Sequence, residues 1–310
     1  MIFSLTILGS SAALPTSQRF PTAQVLQVDE RFFLIDCAEG TQMQLRRFKV
    51  KFNQIKAIFI SHLHGDHMFG LPGLLSSLSA LERSEPMEIF GPPLLKEWLN
   101  DVLKYFKPIN FPLIFHTLTS KEPELIYENK HIKVTCFPLV HRVPSWGFLF
   151  RETPKLLNIK KDMIDQYQIP LRSIPSIKEG KDFVTESEEI VPNDVLTQPP
   201  LKTRSYAYCS DTIYLDHLPD IVKNVDLLYH EATFDNSEKQ RAIETFHSTS
   251  VDAARIALAA NPGKLIIGHF SARYKDITPL LEEARSIFPS TESAEDGRVF
   301  EVPQSRRQNS

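Results

Sequence analysis

Cysteine is scarce in this sequence, and its few copies form no recognisable pattern. The 310-residue chain contains only Cys37, Cys136 and Cys209, which are widely spaced and lie within or beside apolar runs. Disulfide frameworks use even numbers of cysteines, mostly in small secreted domains. We therefore predict three buried free thiols, and we expect the protein to work in a reducing compartment, the cytoplasm.

Long hydrophobic runs are also missing. A membrane-spanning helix needs about 20 consecutive apolar residues, and no apolar run here approaches that length. Residues 1–7 lack the basic segment that opens a secretion signal. We expect neither a membrane span nor a signal peptide.

The chain has no excess of positive charge. Its 35 lysines and arginines face 38 aspartates and glutamates, a formal net charge of −3. Nucleic-acid-binding domains usually carry a basic patch or stripe, so any RNA site here must be a local one. The length suits one large α/β domain with an insertion, and we find no internal repeat.

What the sequence does contain is a dense cluster of metal-binding side chains. The apolar run 57–60, a predicted buried strand, leads into His62, His64, Asp66 and His67. Burying four such side chains is costly unless a cation binds them. Imidazole with carboxylate suits zinc, and manganese or iron also fits. Alternation puts His62 and His64 on one side, and the glycine after them lets the other two face a second metal.

This motif resembles the signature of the metallo-β-lactamase superfamily. The resemblance implies an α/β fold, an αββα sandwich of two mixed sheets flanked by helices, with the ligands on loops at one edge. That fold hosts hydrolases, nucleases and redox enzymes. The motif therefore implies a scaffold and its metals, and leaves the substrate open.

Three further apolar runs end in a residue that can bind metal, namely His141, Asp211 and His269. Strands of one sheet that end on the same edge would bring these residues together. The superfamily resemblance implies two zinc ions per chain, with the following ligands: His62, His64 and His141 for one, Asp66, His67 and His269 for the other, and Asp211 bridging both. Such a pair lowers the pKa of a shared water towards about 7, and we expect Asp66 also to orient that water.

Five further stretches resemble the ribonuclease Z family, the tRNA 3′-processing endonucleases. In chain order they span nearly the whole sequence: residues 8–19, 36–42, 67–73, 230–234 and 246–249. The resemblance implies a zinc-dependent endoribonuclease that removes the 3′ trailer from precursor tRNA. Cleavage after the discriminator nucleotide would leave a 3′-hydroxyl on the tRNA and a 5′-phosphate on the trailer.

Two residues in the last two stretches are candidates for acid catalysis. A histidine oriented by a carboxylate can protonate the departing ribose oxygen or bind the phosphate. His247 and Glu231 match the residues that fill those roles in the family. The alternative is that His247 caps the helix predicted at Ser250 and that Glu231 is a surface turn residue. We do not expect His230 to act, because alternation points it opposite to Glu231. We expect the remaining histidines to be structural or exposed: His116, His131 and His217.

Residues 152–200 interrupt the regular succession of strands and helices. We predict a short helix over 158–168, then an irregular proline-containing segment. Ribonuclease Z carries a flexible arm that clamps tRNA at this position. The resemblance thus implies one domain, 1–310, with 152–200 as an inserted tRNA-binding arm. The first half of the segment is basic: Lys155, Lys160, Lys161, Arg172, Lys178 and Lys181.

The arm departs from the bacterial pattern, because Ile169-Pro170 is not followed by a Gly-Pro pair. The identity of the arm residues that contact RNA is therefore left open. The alternative is that residues 152–200 form a solvated surface insertion with no role in RNA binding. The family also implies a homodimer in which one subunit's arm serves the other subunit's metals. Two competing functions remain: a small-molecule phosphodiesterase, lactonase or thiolesterase of the same fold, and a catalytically inactive RNA-binding module.

Overall fold

Two mixed sheets dominate the computed structural model, which describes residues 2–106 and 108–305. Within these residues, the first sheet contains seven strands, in spatial order β18 (Val299–Glu301), β1 (Phe3–Gly9), β2 (Ala23–Val28), β3 (Arg31–Ile35), β4 (Ile55–Phe59), β5 (Met87–Gly91) and β6 (Leu113–Thr117). The second also contains seven, in the order β17 (Thr291–Ser293), β16 (Lys264–Gly268), β15 (Leu227–Glu231), β14 (Ser205–Cys209), β9 (Ser145–Glu152), β8 (Ile132–Leu139) and β7 (Glu124–Glu128).

The strands that lead to the predicted ligands are mostly parallel and buried. Strands β3 to β6 pair in parallel, as do β14 to β17. Parallel strands covered on both faces have nearly continuous apolar sequences, and every residue of β14 and β15 is buried. The apolar runs that end in a polar residue are therefore strands, as predicted.

Helices cover the outer faces of both sheets. The first half of the chain contains α1 (Thr41–Arg47), α2 (Gly65–Met68), α3 (Leu71–Ala80) and α4 (Leu95–Leu103), with a 3₁₀ turn at Phe52–Gln54. The last third contains α8 (Leu218–Ile221), α9 (Lys239–Thr245), α10 (Ser250–Ala260) and α11 (Thr278–Ile287), with a 3₁₀ turn at Asn236–Glu238. Thr249 and Asp252 form a capping box at the start of α10, so Thr249 is the cap.

Three apolar layers hold these elements together. An aromatic-rich layer lies between the sheets and includes Phe59, Phe148 and Tyr206. A second layer packs the first sheet against α1, α3 and α4, and a third packs the second sheet against α8, α10 and α11. The order of layers is helix, sheet, sheet, helix, so the predicted αββα sandwich is confirmed.

The chain divides into two compact units, residues 1–151 with 205–302 and residues 152–204 with 303–310. The second unit, here called the arm unit, contains β10 (Asn158–Ile159), α5 (Lys161–Gln166), a 3₁₀ turn (Leu171–Ser173), α6 (Ile174–Lys178), β11 (Phe183–Val184), β12 (Ile190–Val191), α7 (Asn193–Leu196) and β13 (Thr197–Gln198). The predicted helix over 158–168 was therefore too long, because its first two residues pair with β13.

The arm unit has its own small core. The buried members of this core are Ile169, Ile177, Phe183, Val191 and Leu196. Its two ends are joined by a buried ion pair in which the Arg204 guanidinium donates to both oxygens of Glu152, at 3.0 and 2.7 Å. The prediction of an irregular segment after residue 168 was wrong, because apolar contacts within the arm unit order it into short elements.

Two predicted absences can be compared with the structure. All three cysteines are free and buried, as expected. Across residues 2–106 and 108–305, no helix has both the length and the apolar character needed to span a membrane.

Candidate metal centre and active site

The predicted metal ligands lie just after the carboxyl ends of strands. Strands β4, β8, β14 and β16 end one to three residues before His62, His141, Asp211 and His269, respectively. Helix α2 begins at Gly65, shortly after β4 ends at Phe59, and carries Asp66. Because these strand ends meet at one edge of the sandwich, residues up to about 200 positions apart in sequence come together.

The first group of donor atoms belongs to His62, His64, His141 and Asp211, and these atoms all lie within 4.8 Å of one another. His64 presents Nδ1, which lies 3.1 Å from Nε2 of His62 and 3.2 Å from Nε2 of His141. Oδ2 of Asp211 is 3.5 Å from Nε2 of His62. Three imidazoles and one carboxylate therefore face one point.

The second group contains Asp66, His67 and His269, again with donor atoms within 4.8 Å of one another. Oδ2 of Asp66 lies 3.5 Å from Nε2 of His67 and 3.4 Å from Nε2 of His269. The other oxygen of Asp211, Oδ1, is 3.4 and 3.3 Å from the same two nitrogens. Asp211 thus turns one oxygen towards each group.

The outer nitrogens of the imidazoles are held by protein oxygens. Nδ1 of His67 is 2.8 Å from Asp36, that of His141 is 2.8 Å from the Phe246 carbonyl, and that of His269 is 2.9 Å from the Thr233 hydroxyl. Metal-binding histidines are generally oriented in this way, since the outer N–H fixes the ring and frees the inner lone pair. The donor set and its orientation fit divalent metals.

The electrostatics of the site also favour positive charge at its centre. Burial alone would raise the pKa of Asp211, but the surrounding imidazoles, led by that of His269, hold it well below its usual range. Burial also opposes a charged His67, yet Asp211, Asp36 and Asp66 outweigh burial and raise the pKa of this histidine well above its usual value. A dication at the shared centre would supply this positive charge in place of protons.

His247 and Glu231 form a close pair beside the second group. Nδ1 of His247 lies 2.9 Å from Oε1 of the fully buried Glu231. Burial would lower the pKa of His247, but the Glu231 carboxylate outweighs it and raises the pKa to about 9. The backbone N–H of Thr212 donates to the same carboxylate oxygen, at 2.9 Å. Glu231 is therefore no surface turn residue, and Thr249 rather than His247 caps α10.

The other histidines lie outside the groups of donor atoms found in the described part of the chain. The Nδ1–H of buried His230 donates to the Glu231 carbonyl, 2.7 Å away. His116 pairs with Glu88 at 3.1 Å and stacks on Phe90, and His217 is exposed. Their predicted exclusion from the ligand set agrees with this geometry.

Asp36 was not identified as a site residue from the sequence. It is fully buried and accepts hydrogen bonds from the Ser61 backbone N–H at 2.8 Å and from the Tyr208 hydroxyl at 2.6 Å, in addition to its contact with His67. A usable signal was present, because Asp36 directly follows the apolar strand β3, as the other site residues follow theirs. We infer that it fixes the ring of His67.

An open cavity of about 280 Å³ exposes both donor groups and His247 to solvent. Its rim also carries two arginines, Arg142 and Arg241. The two arginines add positive charge to the lining of this cavity.

Comparison with known proteins narrows the family. A family model described as Anti-Pycsar protein Apyc1 matches residues 3–166, just over half of the chain. This half of the chain therefore belongs to the family that the model describes. The match does not extend to Asp211, His247 or His269. A protein of Bacteroides thetaiotaomicron named Ribonuclease Z is 48% identical over 97% of this chain and 95% of its own length. The chain belongs to the ribonuclease Z family. The family predicted from the sequence motifs is thereby confirmed.

Solved structures that resemble this chain support its assignment to the ribonuclease Z family. Human tRNase Z, short form, superposes with a TM-score of 0.70 at 28% identity, over 97% of this chain and 99% of the human one. The metallo-β-lactamase fold protein YhfI from Bacillus subtilis gives 0.69 at 17% identity, over 97% and 100% of the two chains, which supports the fold alone. This ribonuclease Z therefore has the metallo-β-lactamase fold predicted from its metal motif.

Proposed function

We propose that this ribonuclease Z, an endoribonuclease and phosphodiester hydrolase, removes the 3′ trailer from precursor tRNA with the help of two zinc ions. Cleavage would follow the discriminator nucleotide and leave a 3′-hydroxyl on the tRNA and a 5′-phosphate on the trailer. The observation that supports this proposal most strongly is the convergence of seven donor side chains beside the His247–Glu231 pair.

In this proposal each of the two donor groups would hold one zinc, and Asp211 would offer one oxygen to each group. Two divalent metals in such a site lower the pKa of a bound water and neutralise charge on the phosphoryl oxygens. Asp66 has one oxygen directed at the second group, and its other oxygen is available to orient the attacking water. The remaining metal ligands in this proposal would be His62, His64, His67, His141 and His269.

The leaving group defines the role of His247. Attack of water at phosphorus breaks the bond to the ribose 3′-oxygen, which leaves as a hydroxyl if it receives a proton. With Nδ1 of His247 engaged by Glu231 at 2.9 Å, Nε2 is the atom that would deliver this proton. Glu231 stabilises the protonated imidazole, because it raises the pKa of His247 to about 9.

The first competing function, a small-molecule hydrolase of the same fold, accounts less well for these features. Small substrates with good leaving groups need no separate proton donor, and they need no arm. The second, an inactive RNA-binding module, would not require seven intact donor side chains. A chromogenic phosphodiester and a precursor tRNA, compared at equal enzyme concentration, would separate these possibilities.

We further propose that residues 152–200 form a tRNA-binding exosite. Lys161, Arg172 and Lys181 are exposed in this segment and can pair with phosphates remote from the cut, which adds affinity without base readout. Lys160 is less suited, because its ammonium donates to the carbonyls of Asp194 and Val195 at 3.1 and 2.7 Å.

The proposal includes a homodimer in the cytoplasm, in which the arm of one subunit serves the metals of the other. The free thiols suit a reducing compartment. A homodimer would allow a single tRNA to contact an arm and a catalytic site on different chains.

The direct test of the activity is incubation with a 3′-extended tRNA transcript and mapping of both new ends. We expect one cut after the discriminator nucleotide, loss of activity in chelator, and two zinc ions per chain by metal analysis. Undiminished cleavage in chelator by a protein without transition metal would overturn the metal proposal, and a cut elsewhere in the transcript would overturn the processing role.

The arrangement of the arm is tested with mixed dimers. A chain lacking residues 155–195 is co-expressed with a full-length Asp66→Ala chain, so that the mixed dimer has one intact site and one arm on different subunits. If the arm acts in trans, this dimer should process tRNA although neither parent homodimer does so well. Mixed dimers no more active than the armless parent would show that the arm does not act in trans.

A further inference from the structure

The hydroxyl of Thr233 lies between the two halves of the active site. Its Oγ1 is 2.7 Å from Oε2 of Glu231 and 2.9 Å from Nδ1 of His269. The same oxygen is 3.3 Å from Nδ1 of His247. One small side chain therefore contacts the carboxylate of the acid pair and a ligand of the second metal group.

The direction of each hydrogen bond follows from the groups involved. An ionised carboxylate can only accept, so the Thr233 hydroxyl donates its single proton to Glu231. Its lone pairs then accept the Nδ1–H of His269. This arrangement fixes the tautomer of His269, and it leaves Nε2 unprotonated and directed at the donor atoms of Asp66 and Asp211, 3.4 and 3.3 Å away.

Thr233 has little freedom to leave this position. Only 3% of its surface is exposed. Its backbone N–H donates to Oε2 of Glu231 at 3.2 Å, and its carbonyl accepts from the N–H of Ser271 at 3.2 Å. The loop after β15 is thus hydrogen-bonded to the loop after β16, which carries His269. The hydroxyl therefore stays within hydrogen-bonding distance of both Glu231 and His269.

We propose that Thr233 is a positioning residue whose hydroxyl joins the metal ligand His269 and the acid-pair carboxylate Glu231 into one hydrogen-bonded unit. The inference rests on the proposed two-metal function. It assigns a role to a side chain that acts through its hydrogen-bond partners His269 and Glu231. Outer partners of metal-binding histidines typically change metal affinity or activity about 10–100-fold when removed.

The decisive comparison uses two substitutions of similar size. Thr233→Val keeps the shape but removes the hydroxyl, which leaves the Nδ1–H of His269 buried without an acceptor. Thr233→Ser keeps the hydroxyl and removes only a methyl group. Thr291→Val is the matched control, since Thr291 is also buried but its hydroxyl donates to the Phe288 carbonyl outside the site.

The first readout is metal affinity, measured by competition with a chromogenic zinc chelator and independent of activity. We expect Thr233→Val to weaken binding of the zinc at the second donor group, which contains His269, about 10–100-fold. Thr233→Ser should stay within about threefold of the unmodified protein, and Thr291→Val should not differ from it. Thermal unfolding of the metal-free proteins would verify that all variants fold.

The second readout is turnover at saturating zinc on two substrates. Thr233→Val should lose more turnover on precursor tRNA than on a nitrophenyl phosphodiester, because only the ribose oxygen needs the proton that Glu231 helps His247 to hold. Equal losses on both substrates would overturn the link to Glu231. Serine and valine variants with equal defects in zinc affinity would overturn the positioning role altogether. The chelator competition needs no tRNA cleavage, so it decides the role of Thr233 even if the RNA substrate proves wrong.

Discussion

The unit of residues 1–151 with 205–302, here called the catalytic unit, and the arm unit of this ribonuclease Z are stabilised in different ways. In the catalytic unit, polar side chains such as Asp36, His67 and Glu231 are fully buried and hydrogen-bonded, and the two sheets with their helices provide three apolar layers. The arm unit has one small core and short elements of two to six residues. Its basic side chains are mostly exposed.

This difference matches the tasks proposed for the two units. Metal chemistry needs donor atoms held within tenths of an ångström, which requires rigid strands and satisfied partners. Phosphate contacts far from the cut need only charge in roughly the right place. Substitutions in the catalytic unit should therefore affect turnover on all substrates or a defined step, whereas substitutions in the arm unit should affect only tRNA.

The largest effect should come from removing a strand-end ligand. His62→Ala and Asp211→Ala should each reduce cleavage of tRNA and of a nitrophenyl phosphodiester by more than about 100-fold, because loss of an outer partner alone typically costs about 10–100-fold. Metal content and initial rates would be measured together. His217→Ala, at an exposed histidine, is the control and should change neither. Retained activity in either ligand variant would contradict the assignment.

A smaller and more selective loss is expected for His247→Ala. General acid catalysis contributes about 10²–10⁴-fold, so tRNA turnover should fall by that order while both metals remain bound. The loss should shrink on a nitrophenyl phosphodiester, whose oxygen leaves without a proton. Glu231→Gln should also lower turnover on both tRNA and the nitrophenyl phosphodiester. Equal losses on the two substrates would instead indicate phosphate binding or a structural role for His247.

The independence of the two units can be tested in the small core of the arm unit. Phe183→Ala should cost about 3–5 kcal/mol of local stability and increase hydrogen exchange within 152–204. The KM for tRNA should rise about tenfold as the basic side chains lose their arrangement, with no change on the nitrophenyl substrate. Leu171→Ala, at a side chain that is 83% exposed, is the control. Increased exchange throughout 205–302 would show that the units do not unfold separately.

The smallest effects should come from single charges in the arm unit. Lys161→Glu, Arg172→Glu and Lys181→Glu should each raise the KM for tRNA a few-fold and reduce its salt dependence by about 0.7–0.9 log units per log unit of salt. Lys130→Glu, at the opposite end of β8 from His141, is the matched control. Salt dependence unchanged in all three arm variants would argue against residues 152–200 as the exosite.

The ligand set could be proposed from the sequence because it depends on local patterns. His62, His64, Asp66 and His67 occupy one short segment, and His141, Asp211 and His269 each follow an apolar run that became a strand. The pattern of apolar runs placed each of them at a strand end, and the superfamily resemblance implied that they form one metal centre. Their convergence depends on the packing of two sheets, since β4 belongs to the first sheet and β8, β14 and β16 belong to the second. The family motifs around them supplied the substrate class.

Some elements carried too weak a local signal to be predicted. Strand β9 and helix α9 were not predicted, although β9 pairs with β14 at the centre of the second sheet. The arm unit was expected to be largely irregular because its apolar residues lack periodicity. Its core instead joins residues such as Ile169 and Leu196, and contacts between distant positions leave no repeating pattern in a sequence.

The amino-acid sequence by itself determined the family, the sandwich and the side chains available for metals and acid catalysis. Only the tertiary structure decided which polar groups hold them in place. Asp36 meets His67 across 31 positions, and Thr233 meets His269 across 36. Hydrogen bonds of this kind depend on distances of about 3 Å between residues that follow the ends of different strands. Such distances exist only once the sheets have formed and packed.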